Sequence, residues 1–409
     1  MPSTIRTAIL ALLAGASAAQ AAVIRVPADQ PTIQQAIDAA QRGDEVRVAP
    51  GTWFEHIDFH GRRIHVVGEA GPQATILDGA GAAGPVVTAA SREGSGTSIS
   101  GFTIRNGRAA AGGGIEVGGR AWLRVENNDI RGNQACKGGG IHVAHAAAEI
   151  VGNRILDNAT EGCGGGESGG GVYVWDGHHT VIGGNLVARN RAAASGGGLR
   201  LRGTGVVTMH RNIVQDNRAG NDGGGVSSDA ASPSLSDNLV VGNRARFTGG
   251  GLSFEVPAQA SYQARATNNT VADNHAPDGS ELHLEDAAGR MSLTNNIFRA
   301  THGSFGMHCL GAKRPGFYFN LWWGEGSRSA GNCRDFDRRG YNLVADPMFD
   351  TRPGVPPYTL AAGSPAIDAG NTSDAGPLPG DLAGHYRFVD GDGDGADWVD
   401  LGAREFVPE

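Results

Sequence analysis

Hydrophobic and polar positions alternate in short bursts along most of this chain, and the bursts recur in register. The first kind follows a glycine run: Gly112-Gly113-Gly114-Ile115-Glu116-Val117 and Gly138-Gly139-Gly140-Ile141-His142-Val143. The same pattern returns at Gly169 to Val174 and Gly196 to Leu201, begins again at Gly223 and Gly249, and persists in degenerate form around Leu282 and Met307. From Ile115 onward the intervals are 26, 31, 27, 27, 26, 30 and 25 residues. Between these bursts lies Asn-x-aliphatic with a second Asn five positions on: Asn128/Asn133, Asn153/Asn158, Asn185/Asn190, Asn212/Asn217, Asn238/Asn243 and Asn269/Asn274. Period-two alternation punctuated by Gly and Asn predicts at least two short strands per repeat, with no room for a helix.

Such a repeat suits a coil that stacks on its neighbours about 4.8 Å apart, each strand pairing in parallel with its equivalent. The handedness of parallel connections favours a right-handed parallel β-helix. The expected fold is all-β, a solenoid of about ten coils of roughly 27 residues. Ile115, Ile141, Val172, Leu199, Val226 and Leu252 would stack inside, with the two Asn columns satisfying turn backbone groups. Open coil ends need covering. Thr32-Ile33-Gln34-Gln35 has capping-box form and predicts an N-terminal capping helix through Ile37 and Ala40, ended by Gly43. The segments Glu45 to Ala49 and Ile64 to Val67 read as the first strands.

Composition agrees with a repeat rather than several compact cores. Glycine supplies 66 of 409 residues and aromatics only 6%, while 40% of residues are apolar, too many for disorder. The glycines lack a three-residue period, which excludes collagen. A formal charge of −8 gives no support for nucleic-acid binding. Lys137 and Lys313 are the only lysines, so a lysine-based mechanism has few candidates.

Residues 1–21 read as a signal peptide: Arg6, an apolar run from Ala8 to Ala18, and Ala19-Gln20-Ala21 as the cleavage site. That run is too short to span a bilayer, and no later stretch is long enough. A secreted or periplasmic product is expected. Cys136 and Cys163 lie 27 residues apart and Cys309 and Cys333 lie 24 apart, about one repeat each, so two disulfides between neighbouring coils are expected. Cys309 falls at an inward position, and a buried free thiol is the alternative there. Residues 22–95 then hold the N-terminal cap and first coils, 96–340 the repeats, and 341–409 a Pro-, Gly- and Asp-rich capping region wrapped on the last coils.

Val26-Pro27-Ala28-Asp29-Gln30-Pro31-Thr32-Ile33-Gln34-Gln35-Ala36-Ile37 resembles the opening of bacterial pectin-lyase-like right-handed β-helix proteins. Ser364-Pro365-Ala366-Ile367-Asp368-Ala369-Gly370, Val399-Asp400-Leu401-Gly402-Ala403-Arg404-Glu405 and Asp346-Pro347-Met348-Phe349 are similar to the choice-of-anchor Q domain that ends many of them. The resemblance implies the fold. It implies a pectate or alginate lyase, a polygalacturonase, an epimerase or a surface protein with no known reaction, without specifying which. Members often carry an anchor after this domain; this sequence ends at Glu409, and a released or periplasmic product is expected. The paired Asp-Asp, Gly-His-Gly and Arg-Ile-Lys motifs of polygalacturonases do not occur.

Chemistry must then come from the outward positions of the glycine-led strand. One column runs Glu116, His142, Tyr173, Arg200, Ser227, Ser253, His283, His308; the second runs Gly118, Ala144, Trp175, Arg202, Asp229, Glu255, Glu285. Tyr173 and Trp175 beside Arg200 and Arg202, flanked by Glu116, suit a carboxylated sugar chain, with rings stacking on the aromatics and guanidinium groups gripping carboxylates. His142 or Tyr173 could act as a lyase-type base. Asp229 and Glu255, one rung apart, approach the roughly 5–5.5 Å separation of retaining glycosidases. An ordinary solvated face with an Arg202–Asp229–Glu255 charge ladder is the competing reading. The expected partner is polysaccharide or cell-surface glycan, bound with or without turnover.

Asp390-Gly391-Asp392-Gly393-Asp394-Gly395 matches the first half of an EF-hand-type loop, with Asp397 or Asp400 available to complete the shell. A structural Ca2+ that pins the C-terminal region is expected.

Overall fold

The computed structural model describes residues 21–408 apart from 162, 164–166, 204, 230, 257–262, 287–288, 302–304, 312–313, 325–327, 335, 337–339 and 375–379. Most of the expected signal peptide therefore lies outside the described residues. The chain winds as a solenoid whose three long sheets carry 12, 11 and 12 strands, which makes about eleven turns. All strand pairs between coils are parallel, and each strand pairs with its equivalent one coil on, as with Val172–Trp175 on Leu199–Arg202 and Leu199–Arg202 on Val226–Asp229.

Two features exceed the repeat analysis. Val23–Val26 forms an extra first strand on Glu45–Val48. A coil in the middle of the repeat holds four strands, in keeping with the expected minimum of two, because the residues before each glycine run also pair in a short six-stranded ladder from Arg108–Ala111 to Arg244–Ala245. The helix spans Ile33–Ala39, shorter than expected; Thr32 accepts from the Gln35 N–H at its start, and Ile33, Ala36 and Ile37 are buried.

Each glycine of a triplet does a different job. Gly196 sits at φ 73°, a conformation that L side chains resist. A Cβ on Gly197 would come within 2.3 Å of the Gly224 carbonyl in the next coil, and one on Gly198 within 2.7 Å of the Gly225 carbonyl. Close stacking at this corner therefore excludes a side chain. The core is a continuous aliphatic file, with Ile115, Ile141, Val172, Leu199, Val226 and Leu252 all fully buried.

The asparagines build two internal ladders. Asn217 receives hydrogen bonds on Oδ1 from the main-chain and side-chain N–H groups of Asn190, and its own Nδ2 donates to Asn243 Oδ1 and the Val187 carbonyl. This ladder ends on a residue that the Asn pattern did not reveal. Glu281, fully buried, accepts from Asn274 Nδ2 at 2.6 Å, standing where the next asparagine would be. Burial raises its pKa well above the ordinary carboxylate value. The native state then holds a proton that the unfolded chain releases, so stability is lost as pH rises through the folded pKa. Glu281→Gln, which keeps the shape and removes the titration, is expected to leave stability within about 1 kcal/mol of wild type at pH 5 and to raise it at pH 9. Urea denaturation at the two pH values checks this.

Both expected disulfides form, Cys136–Cys163 and Cys309–Cys333, with Cα separations of 5.5 and 5.1 Å. The free-thiol alternative for Cys309 is thereby excluded. Residues after Tyr341 fold back along the side of the solenoid rather than over its end alone. Tyr358 Oη donates to Asp273, the Arg211 guanidinium to the Gly380 carbonyl, and the Ala403 N–H to Thr270 Oγ1.

Candidate functional site

The pairing register puts the outward residues in the two columns read from the sequence. Glu116 faces His142, then Tyr173, Arg200, Ser227, Ser253, His283 and His308 follow rung by rung. Alongside, Trp175 faces Arg202, then Asp229, Glu255 and Glu285.

Alternation alone gives the wrong accessibility for the first column. Tyr173 is 0% exposed and His142 4%, and Ser227 and Ser253 are buried too. The reason is the sharp glycine corner before each strand. A Cβ on Gly196 would lie 2.8 Å from Arg200 Cβ, and one on Gly169 2.8 Å from Tyr173 Cβ. The corner thus folds over the first outward position of its own strand and leaves the second open. Arg202 retains 41% side-chain exposure against 13% for Arg200, Trp175 is half-buried, and Glu255 is exposed.

This changes the role of the two base candidates. Burial raises the Tyr173 pKa, Glu167 adds to it, and Arg202 and Arg200 only partly oppose it, so the phenol holds its proton. His142 Nδ1 is 2.8 Å from Glu116 Oε2, and its ring packs on Tyr173 with centroids 5.2 Å apart. Glu116 therefore serves to orient His142. The described residues supply no partner in hydrogen-bonding geometry to His142 Nε2 or Arg200 Nε, which are buried two rungs apart on either side of Tyr173.

The second column is a charge lattice around an aromatic ring. Arg200 donates to Ser227 Oγ and, at 3.1 Å, to Asp229 Oδ2, while Arg202 Nε lies 3.6 Å from the same carboxylate oxygen. Arg202 also donates to Glu167 at 2.7 Å, and Glu167 pairs with Lys137. The Lys137 ammonium stands 5.5 Å from the Trp175 ring centroid, and His145 packs on the same ring at 4.6 Å. Partial desolvation raises the Glu255 pKa, reinforced by Asp229 and Glu285 on either side and opposed by Arg200. Next to Glu116 runs a cleft of about 670 Å³ lined by Arg108, Gln134, Glu161 and the Cys136–Cys163 bridge.

Glu167 and Lys137 escaped the sequence reading of this site. A signal existed: the interval from Ile141 to Val172 is 31 residues, the longest, and Glu167 lies in that insertion. Insertions within repeats map to loops on a working face.

The aspartate loop departs from the expected ligand set. Asp400 is buried and turned inward, accepting from the Asp368 and Phe406 N–H groups, and burial pushes its pKa up to about 7. It is too committed to the interior to join the loop. Asp368 takes that place: its oxygen and those of Asp390 and Asp392 lie within 4.8 Å of one another. Asp394 and Asp397 are exposed and stand outside this group.

Comparison with known proteins supports the architecture. Residues 88–255 match the family model described as right handed beta helix region. A search of curated proteins finds no match. Among solved structures, the pectate lyase Pel9A aligns over 94% of this chain and 96% of its own, at 13% identity and a TM-score of 0.59. The PL6 family alginate lyase AlyGC aligns over 81% of this chain and 54% of its own, at 14% identity and a TM-score of 0.37. Among the described residues, no helix is long and apolar enough to cross a membrane. The chain is an all-β right-handed parallel β-helix protein with the fold of a pectate lyase.

Proposed function

We propose that this is a secreted protein that binds an acidic, uronate-containing polysaccharide along the second outward column, without turning it over. The observation that carries the reading is the half-buried Trp175 ring set beside Arg202 and under Lys137, on the column that the glycine corners leave open. A sugar ring can stack on the indole while its carboxylate meets the guanidinium fork. The two base candidates lie beneath this surface, one holding its proton, which favours binding over lyase chemistry.

The hydrolase alternative rests on one specific feature. Glu255 has a raised pKa one rung from Asp229, which pairs with Arg200 and Arg202; two carboxyl groups set apart by their surroundings are what a glycosidase needs. The two readings separate on purified protein given polygalacturonate, alginate and a glycosaminoglycan. The binding reading expects retention of polymer with no new reducing ends and no unsaturated products, and about a tenfold weaker affinity in Arg202→Ala. Products that disappear in Glu255→Gln would establish the enzyme instead.

A Ca2+ held by Asp368, Asp390 and Asp392 is part of the same proposal, as a clamp on the C-terminal region. Chelation is then expected to lower the thermal midpoint, and Asp390→Asn to abolish the response to added Ca2+; an unchanged midpoint on chelation counts against the clamp.

A further inference from the structure

Three rungs along the glycine-led sheet from Arg200, the first column ends in two imidazoles and a carboxylate. His283 and His308 face each other across adjacent strands, with ring centroids 5.6 Å apart. Asp278 lies between them at the start of the His283 strand, its carboxylate 2.7 Å from His308 Nδ1 and 3.8 Å from His283 Nδ1. One ligating atom from each of the three lies within 4.8 Å of the others.

A short contact between His308 Nδ1 and the Asp278 carboxylate accounts for half of this cluster. It leaves His283 unexplained. Its Nδ1 is buried, points toward the carboxylate, and has no hydrogen-bond partner among the described residues. A buried ring nitrogen that faces a carboxylate oxygen without a hydrogen bond leaves a gap that a cation can fill. The 3.8 Å spacing is too long for a hydrogen bond, yet two ligands about 2.1 Å from a tetrahedral ion stand roughly 3.4 Å apart.

We propose that Asp278, His283 and His308 form a binding site for a divalent first-row transition ion of the Zn2+ class. Two imidazoles and one carboxylate suit such an ion, whereas Ca2+ takes six to eight oxygens. Three protein ligands leave a coordination position free for water or for a carboxylate from outside. The site shares its sheet with Arg200 at a distance of roughly 14 Å, three strand spacings. A uronate chain lying along this face would thus meet a second cationic point; that extension alone rests on the polysaccharide reading.

The test is titration of the purified chain, without polymer, with Zn2+ and Co2+ by calorimetry and visible absorption. One equivalent of Co2+ is expected to give the d–d bands of a nitrogen- and oxygen-ligated site, displaced by Zn2+ and not by millimolar Ca2+. His283→Ala and His308→Ala should each weaken Zn2+ binding at least about 100-fold. Asp278→Asn, nearly isosteric, replaces either histidine variant that loses its far-ultraviolet circular dichroism signal, with the same loss expected. Absence of stoichiometric Zn2+ binding, unchanged affinity in the folded variants, or displacement by Ca2+ overturns the site. Because no polymer is present, failure of polysaccharide binding leaves this result untouched.

Discussion

Asn217→Leu is expected to cost about 3–5 kcal/mol of stability, read as a lower urea midpoint. The side chain is fully buried and sits in the middle of the second asparagine ladder. Its removal strands the Asn190 main-chain N–H, and takes from Asn190 Nδ2 one of its two acceptors and from the Val187 carbonyl its side-chain donor. Each buried orphan costs about 1–3 kcal/mol, and leucine cannot reach any of them. The exposed Asp157–Arg189 pair supplies the contrast, since both side chains are about half accessible. Asp157→Ala should change stability by less than about 1 kcal/mol. A loss below about 1 kcal/mol for Asn217→Leu would mean that the ladder is not what fixes the coil corners.

The second large effect concerns the C-terminal region. Arg387 is 0% exposed, yet its guanidinium meets Asp237 at 2.7 Å, Glu405 at 3.2 Å and the Gly402 carbonyl at 3.0 Å. It therefore ties the returning tail to the solenoid wall through a buried charge cluster. Arg387→Met keeps much of the volume and removes the guanidinium that these two carboxylates share, and should cost about 3–5 kcal/mol.

The pH dependence has a definite sign. Burial pushes Glu405 up to about 9 and Asp400 to about 7, both above ordinary carboxylates. Protons kept by the folded state and lost by the unfolded one stabilise docking at low pH. That contribution is complete below about pH 4 and is lost as pH rises through about 7 and then about 9. Without Arg387 the charged carboxylates lack their counter-ion, so the cost of Arg387→Met should grow from pH 5 to pH 9. Hydrogen exchange of residues 380–405 at the two pH values reads this locally. Protection that rises with pH contradicts the scheme.

The coil was legible because its constraints repeat. A glycine triplet that must stack on the next triplet, and an asparagine that must bond the next asparagine, write their period into the sequence. Period-two alternation also fixed which side chains point outward. It could not tell outward from exposed: Tyr173 and His142 point away from the core and are nevertheless covered, because the glycine corner turns back over them. Asp400 and Glu281 were opaque for a related reason. Their surroundings come from chain segments brought together by the fold, the returning tail in one case and the end of an asparagine ladder in the other. Glu167, which clamps Arg202, entered through an insertion that breaks the repeat rather than through the repeat itself.

Trp175 and its column are the proposed contact surface for an acidic polysaccharide. Hydroxyl-radical footprinting with and without an oligogalacturonate measures this directly, because oxidation of each tryptophan is read separately. Trp175 is expected to lose reactivity in the charged oligosaccharide and to keep it in an equal concentration of neutral dextran, with the effect reversed by high salt. Bound oligosaccharide with Trp175 reactivity unchanged would contradict the claim.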